Sequence, residues 1–163
     1  MNKGIDYATG DVVAFLNSDD FYTDPSVLAK VMNEFNNNNI DFVHGKVAVV
    51  NEKGRTVRVN GGKKNVNNYS ILGLHCPHPA FFVKTKYLKQ MNPPFDTNFK
   101  LAADIKQQLI LIYRMELSGQ YLDCVTTQQL LGGASTKNIF SYLKGWNESR
   151  MSYNEVFRYG GLI

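Results

Sequence analysis

The sequence predicts an α/β domain whose mixed sheet is flanked by helices on both faces. Three observations predict it. The run Val12–Leu16 is apolar throughout, as in a strand covered on both sides in a parallel sheet. Apolar residues within 25–35, and again within 101–112, recur every three or four positions, which is helical spacing. Further strand-like runs lie between and after these stretches, so strand and helix alternate along the 163 residues.

The elements follow in order. Gly10-Asp11 supply a turn into Val12–Leu16. Thr23 or Asp24 is placed to cap a helix whose first position is Pro25. Val27, Leu28, Val31, Met32 and Phe35 share one face of that helix, and the Asn36–Asn39 run ends it. Residues 40–50, IDFVHGKVAVV, form a second strand, which NEKG turns into RTVRV as a hairpin. The polar NGGKKNVNNY is expected to be a surface loop. AFFVKTKYL reads as a strand running into a helix. FDTNFKLAADIKQQLILIYRMELSG reads as one long helix, with Leu101, Ile105, Leu109 and Ile112 on its apolar side and Gly119 as its stop. YLDCVTT is another strand, LLGGAS a loop, and the tail is helical and amphipathic in pieces. The expectation is one domain over 1–163, with an acidic segment at 1–35, a second chemical segment at 75–118 and a helical tail at 138–163.

Composition narrows the function classes. A hydrophobic share of 44% and an aromatic share of 12% support a packed core and argue against disorder. The net charge of +4 is spread over scattered Lys and Arg. A nucleic-acid groove needs a basic patch with interleaved aromatics, so no nucleic-acid partner is expected. A mild positive field still suits an anionic substrate or membrane surface. No apolar run approaches the roughly 18 residues of a membrane span, and MNKGIDYATGD is neither a signal peptide nor an amphipathic anchor. Cys76 and Cys124 stand far apart with no CxxC and fit reduced thiols. The expected location is the cytoplasm, at most peripheral at the inner membrane face.

Chemistry concentrates where the first strand ends, at Asn17, Ser18, Asp19 and Asp20. Open α/β sheets bind ligands beyond the carboxyl ends of their strands. Adjacent carboxylates repel each other, and Mg2+ or Mn2+ between them offsets the repulsion while holding a phosphate-bearing ligand. The same residue types also make turns and helix caps, and the stretch alone leaves both readings open. Asp104, near the start of the long helix, is either a carboxylate favoured by the helix dipole or a general base near such a site. His78, in the Pro-braced CPHPAFF, reads as a packed, hydrogen-bonded residue; His44 and His75 have less around them.

NKGIDYATGDVVAFLNSDDFYTDPSVL resembles the central segment of family-two glycosyltransferases, inverting enzymes of the GT-A type. HPAFFVKTKYL and FDTNFKLAADIKQQL resemble the acceptor side of the same family, in the same order and spacing. The resemblance implies a GT-A-like, Rossmann-like mixed sheet. It implies metal-dependent, inverting transfer of a sugar from a nucleoside-diphosphate sugar, UDP-linked, to a hydroxyl of a glycan or lipid-linked acceptor in surface-polysaccharide biosynthesis. Asp19 then occupies the last position of the DXD-type triplet Asn17-Ser18-Asp19 and holds Mn2+ or Mg2+, with Asp20 beside it as support. Asn17 replaces the triplet's first Asp, and Asn17 and Ser18 are placed against the sugar nucleotide. Asn2, Lys3 and Gly4 are placed near the diphosphate, and Asp104 in LAAD matches the catalytic base. Lys106 stands where family members often carry a further acidic residue, and no QxxRW motif of processive synthases is present, which implies single transfers.

The resemblance also implies a first βαβ half of the nucleotide-binding domain ahead of NKGI, and none precedes Asn2 here. The expectation is an exposed sheet edge that self-associates or captures a missing N-terminal fragment, with weak donor binding and little turnover by this chain. The sequence leaves two other readings open. One is a non-catalytic remnant acting as an interaction or assembly module. The other is a metal-dependent nucleotidyltransferase, which does not account for LAAD. Phe140, Tyr142, Leu143 and Trp146 in the tail read as packing, or as a face for a membrane surface or a partner.

Overall fold

The structure, a computed structural model, describes residues 1–61, 76–132 and 139–158. Its strands are β1 (Val12–Ala14), β2 (Phe21–Tyr22), β3 (Phe42–Val50), β4 (Thr56–Asn60), β5 (Phe81–Lys84) and β6 (Gly119–Leu130). Its helices are α1 (Asn2–Tyr7), α2 (Val27–Asn37), α3 (Thr85–Gln90), α4 (Ala103–Leu109) and α5 (Ile139–Arg158). The strands form one mixed sheet in the order β1-β5-β3-β6-β2, with β4 folded back on β3. Among the described residues only β3 and β6 run parallel.

Side chains alternate across a strand, and that alternation builds two cores. Phe42 of β3 and Phe81 and Val83 of β5 face Ile5 of α1, Leu88 of α3, and Leu111 and Ile112 just beyond α4. Their neighbours Val43 and Phe82 face the opposite way, onto Val27 and Val31 of α2. Each fully buried side chain of this size contributes about 1.5–3 kcal/mol. The expected α/β architecture with helices on both faces is therefore present. The hairpin is present too: Asn51 Oδ1 accepts from the amides of Lys53 and Arg55, both at 3.0 Å, and Gly54 takes a φ of 71°.

Several elements differ from expectation. Only Val12–Ala14 of the first apolar run is a strand, and it pairs antiparallel with β5 at the edge of the sheet. Among the described residues it has one neighbouring strand; its residues are half-buried and Leu16 is exposed. The α2 helix begins at Val27, after a turn in which Asp24 accepts from both the amide and the hydroxyl of Ser26. Leu28 and Met32 are exposed, so the buried stripe is narrower than the spacing implies. The long helix is also shorter. After α4 it widens at Ile110–Arg114, where the amide of Met115 bonds the carbonyl of Ile110, and Glu116 ends it at a φ of 52°.

Gly119 is not the helix stop; it opens β6, which at twelve residues exceeds YLDCVTT. A Cβ on Gly119 would fall 2.1 Å from the Phe42 ring, so the close approach of β3 and β6 requires glycine. The tail forms one continuous twenty-residue helix. Most of NGGKKNVNNY, His75, and LLGGAS beyond Gly132 lie outside the described residues. Among those residues no helix is long and apolar enough to cross a membrane.

Candidate active site

A cleft of about 490 Å3 opens among the chain that leaves β1, the His78–Ala80 turn, the end of β6 and the start of α4. Asn17, Asp19, His78, Lys100, Asp104 and Gln129 supply its polar wall, and Phe15, Phe95 and Leu101 its apolar wall. A volume of this size suits a small-molecule ligand.

The adjacent carboxylates part company in a turn. The amide of Asp20 bonds the Asn17 carbonyl at 3.1 Å, and Asn17 Nδ2 donates to Asp20 Oδ2 at 2.8 Å. This pins Asp20 beneath the turn at 7% exposure and leaves Asp19 exposed on the cleft wall. Burial lifts the Asp20 pKa above the ordinary carboxylate range; the Asn17 hydrogen bond works against that lift and the Asp19 charge adds to it. Asp20 Oδ1 is buried and makes no hydrogen bond of normal geometry.

Asp104 reaches the cleft from the first turn of α4, where its Oδ1 accepts from the Ile105 amide at 2.9 Å. The α4 helix has no capping side chain of its own. Its cap comes from α5 instead: Glu148 Oε2 accepts from the amides of Leu101 at 2.7 Å and Ala102 at 3.2 Å. Lys106 makes a second tie, donating to Asp96 at 2.6 Å and to Glu155 of α5, with its ammonium over the Phe99 ring. Burial alone would lower the Lys106 pKa, but Asp96 and Glu155 outweigh it and hold the value above ordinary. The Lys in place of an acidic residue thus serves to fasten the helix that carries Asp104.

His78 lies in the cleft wall rather than deep in a core. Its ring stacks on Phe95 at 5.5 Å and meets Phe15 edge-on at 5.2 Å. Burial lowers its pKa, while the charges of Asp104 and Asp20 act in the other direction. Its Nε2 is buried without a hydrogen-bond partner. Sequence alone gave no sign of this, because a single His flanked by prolines has no periodicity to read. Lys100 and Gln129 are likewise cleft residues with no local signature.

Of the remaining expected residues, Asn17 lines the cleft, whereas Ser18 is exposed at the turn beside it. Asn2, Lys3 and Gly4 do not line it. Asn2 holds the Phe95 backbone with two hydrogen bonds of 2.9 Å, so it serves the cleft by fixing the ring that packs on His78. Lys3 and Gly4 are exposed on α1.

The hard oxygens on the cleft wall are of the kind a divalent cation takes. Asp19 offers an open carboxylate and Asn17 an amide oxygen, while Asp20 sits beneath the turn and does not line the cleft. Among the described residues no group of three or more His, Cys, Asp or Glu side chains is placed to hold an ion alone.

Asp19, Asn17, Lys100, His78 and Asp104 thus come together on one cleft. The profile described as glycosyl transferase family 2 matches residues 1–92, more than half of the chain. The chain belongs to that family. Its fold is similar to that of S. aureus TarS, with a TM-score of 0.60 at 16% identity, covering 98% of this chain and 25% of that one. A crystal structure of TarS 1–349 in complex with UDP gives a TM-score of 0.60 at 16% identity, over 94% of this chain and 44% of that one. A further structure of TarS 1–349 gives 0.58 at 17% identity, over 98% and 42%. The chain thus spans between a quarter and less than half of the TarS chains it matches. No curated protein matches the sequence.

Proposed function

We propose that the cleft transfers a sugar from a nucleoside-diphosphate sugar to an acceptor hydroxyl with inversion at the anomeric carbon. The observation that carries this reading is the meeting of Asp19, from the turn after β1, and Asp104, from the first turn of α4, on one cleft that Lys100 also lines. The UDP bound to the similar TarS 1–349 supports a uridine nucleotide as the first candidate donor.

Asp19, with Asp20 behind it and the Asn17 amide oxygen beside it, would hold Mn2+ or Mg2+. When bound, the ion neutralises charge that develops on the departing diphosphate. Lys100 adds fixed positive charge at the same wall. Asp104 accepts the proton of the acceptor hydroxyl as its oxygen bonds the anomeric carbon and the bond to the diphosphate oxygen breaks. His78, kept neutral by burial, presents an imidazole to the bound substrate without adding charge. The acceptor class is a glycan or a lipid-linked sugar of surface-polysaccharide synthesis, and the site of action is the cytoplasm or its membrane face.

The test is release of UDP from a panel of UDP-sugars by wild type and by Asp104→Asn. The expected result is a rate lower by about a hundred- to ten-thousandfold in the variant, with nucleotide affinity unchanged. An unchanged rate removes Asp104 from the reaction.

A further inference from the structure

The helix α5 has two unlike faces. The inner one, with Glu148, Ser152, Tyr153 and Val156, is buried against α4 and its continuation. The outer one presents Phe140 at 77% exposure, Leu143, Trp146 at 63%, Met151 and Phe157 to solvent. Phe140, Leu143 and Trp146, spaced three residues apart, make an exposed apolar stripe along the first turns of the helix, of the kind that marks a docking surface, whereas Phe157 also packs on Tyr113 and Tyr153.

The charges on α5 are sorted in the same way. Glu148 turns inward onto backbone amides, and Glu155 onto Lys106. Lys144 and Arg150 are exposed, and neither forms an ion pair among the described residues. The outer face therefore carries aromatic rings beside positive charge, and the partly exposed carboxylate of Glu155 is engaged by Lys106. Pairing with a second copy about a two-fold axis would bring two such cation-bearing faces together with no free carboxylate to offset them. An anionic lipid surface satisfies both features, because rings settle among headgroups and cations meet phosphates.

We propose that α5 is a docking helix that lies on an anionic lipid surface through Phe140, Leu143 and Trp146, with Lys144 and Arg150 on the headgroups. At twenty residues the helix spans about 30 Å of that surface. Its Gly145 packs against Leu101 of the cleft wall on the side away from the lipid. Docking therefore holds the cleft roughly one helix diameter, about 10 Å, from the membrane. This favours the lipid-linked acceptor among the classes proposed above, and it rests on that reading only for the acceptor, not for the docking.

Trp146 is the only tryptophan, so selectively excited tryptophan emission reports on this face. Titration with vesicles of phosphatidylglycerol and phosphatidylcholine in equal parts is expected to shift its emission to shorter wavelength and to sediment the protein. Added salt is expected to weaken both effects. Lys144→Gln with Arg150→Gln is expected to weaken partitioning about thirtyfold, about fivefold per charge. Phe140→Ser with Leu143→Ser is expected to abolish sedimentation while leaving the melting temperature unchanged. The proposal is overturned if anionic vesicles leave the emission unmoved, or if pure phosphatidylcholine binds equally well. A shift that follows protein concentration without vesicles overturns it too, in favour of self-association. None of these readings depends on sugar transfer.

Discussion

Glu148→Ala probes how the helix bearing Asp104 is held. The Glu148 carboxylate is buried and is the acceptor for two amides at the mouth of α4, one of them on the fully buried Ala102. Truncation leaves both donors without a partner. A buried donor left unsatisfied costs about 1–3 kcal/mol, and the 3.2 Å bond falls at the lower end, so the loss is about 2–4 kcal/mol in all. Glu148→Gln keeps an acceptor oxygen and loses only the charge assistance, about 1 kcal/mol. Urea denaturation measures both values. Asp104 follows Ala102 by two residues, so the loosened first turn is also expected to lower the transfer rate more than nucleotide affinity. A loss below about 0.5 kcal/mol in the alanine variant would refute the reasoning. Equal losses in the two variants would do so as well.

Two further outcomes concern stability. His44 is fully buried between Phe42 and Tyr121 with both ring nitrogens unpartnered, and burial pushes its pKa down to about 4. The unfolded chain protonates it near pH 6.5, so between those values the unfolded state binds the extra proton and stability falls as pH drops, by about 3 kcal/mol over the window. His44→Phe is expected to flatten that acid limb in urea titrations at pH 7 and pH 4.5, without loss at neutral pH. An unchanged acid limb would exclude His44 as its source. Gly119→Ala is expected to lower the melting temperature through a cost of about 1–3 kcal/mol, because the added methyl meets the buried Phe42 ring. Phe42→Leu in the same chain should recover part of the loss.

Periodicity made the broad architecture readable, since spacing of two or of three to four residues reports which faces are covered. It does not report pairing direction, and so the apolar Val12–Leu16 run suggested a parallel strand covered on both sides, where β1 is a half-buried strand paired antiparallel with β5. Asp19 and Asp104 were legible as residues of one cleft because each stands in a stretch with a fixed neighbourhood. The supports of the site were not. Glu148 reaches Leu101 across 47 residues, Lys106 reaches Glu155 across 49, and Asn2 reaches Phe95 across 93. Contacts of that reach leave no local pattern, and His78 entered the cleft through the same long-range packing on Phe95. The role of Gly119 was hidden for a similar reason: the ring that demands it belongs to another strand.

The account turns on a nucleoside diphosphate bound through a divalent cation at Asp19, and isothermal titration of UDP tests it most directly. Wild-type protein is expected to bind UDP when Mn2+ is present and to lose that binding in EDTA, with Asp19→Ala showing none in either condition. Equal heats from wild type and Asp19→Ala in Mn2+ would contradict it.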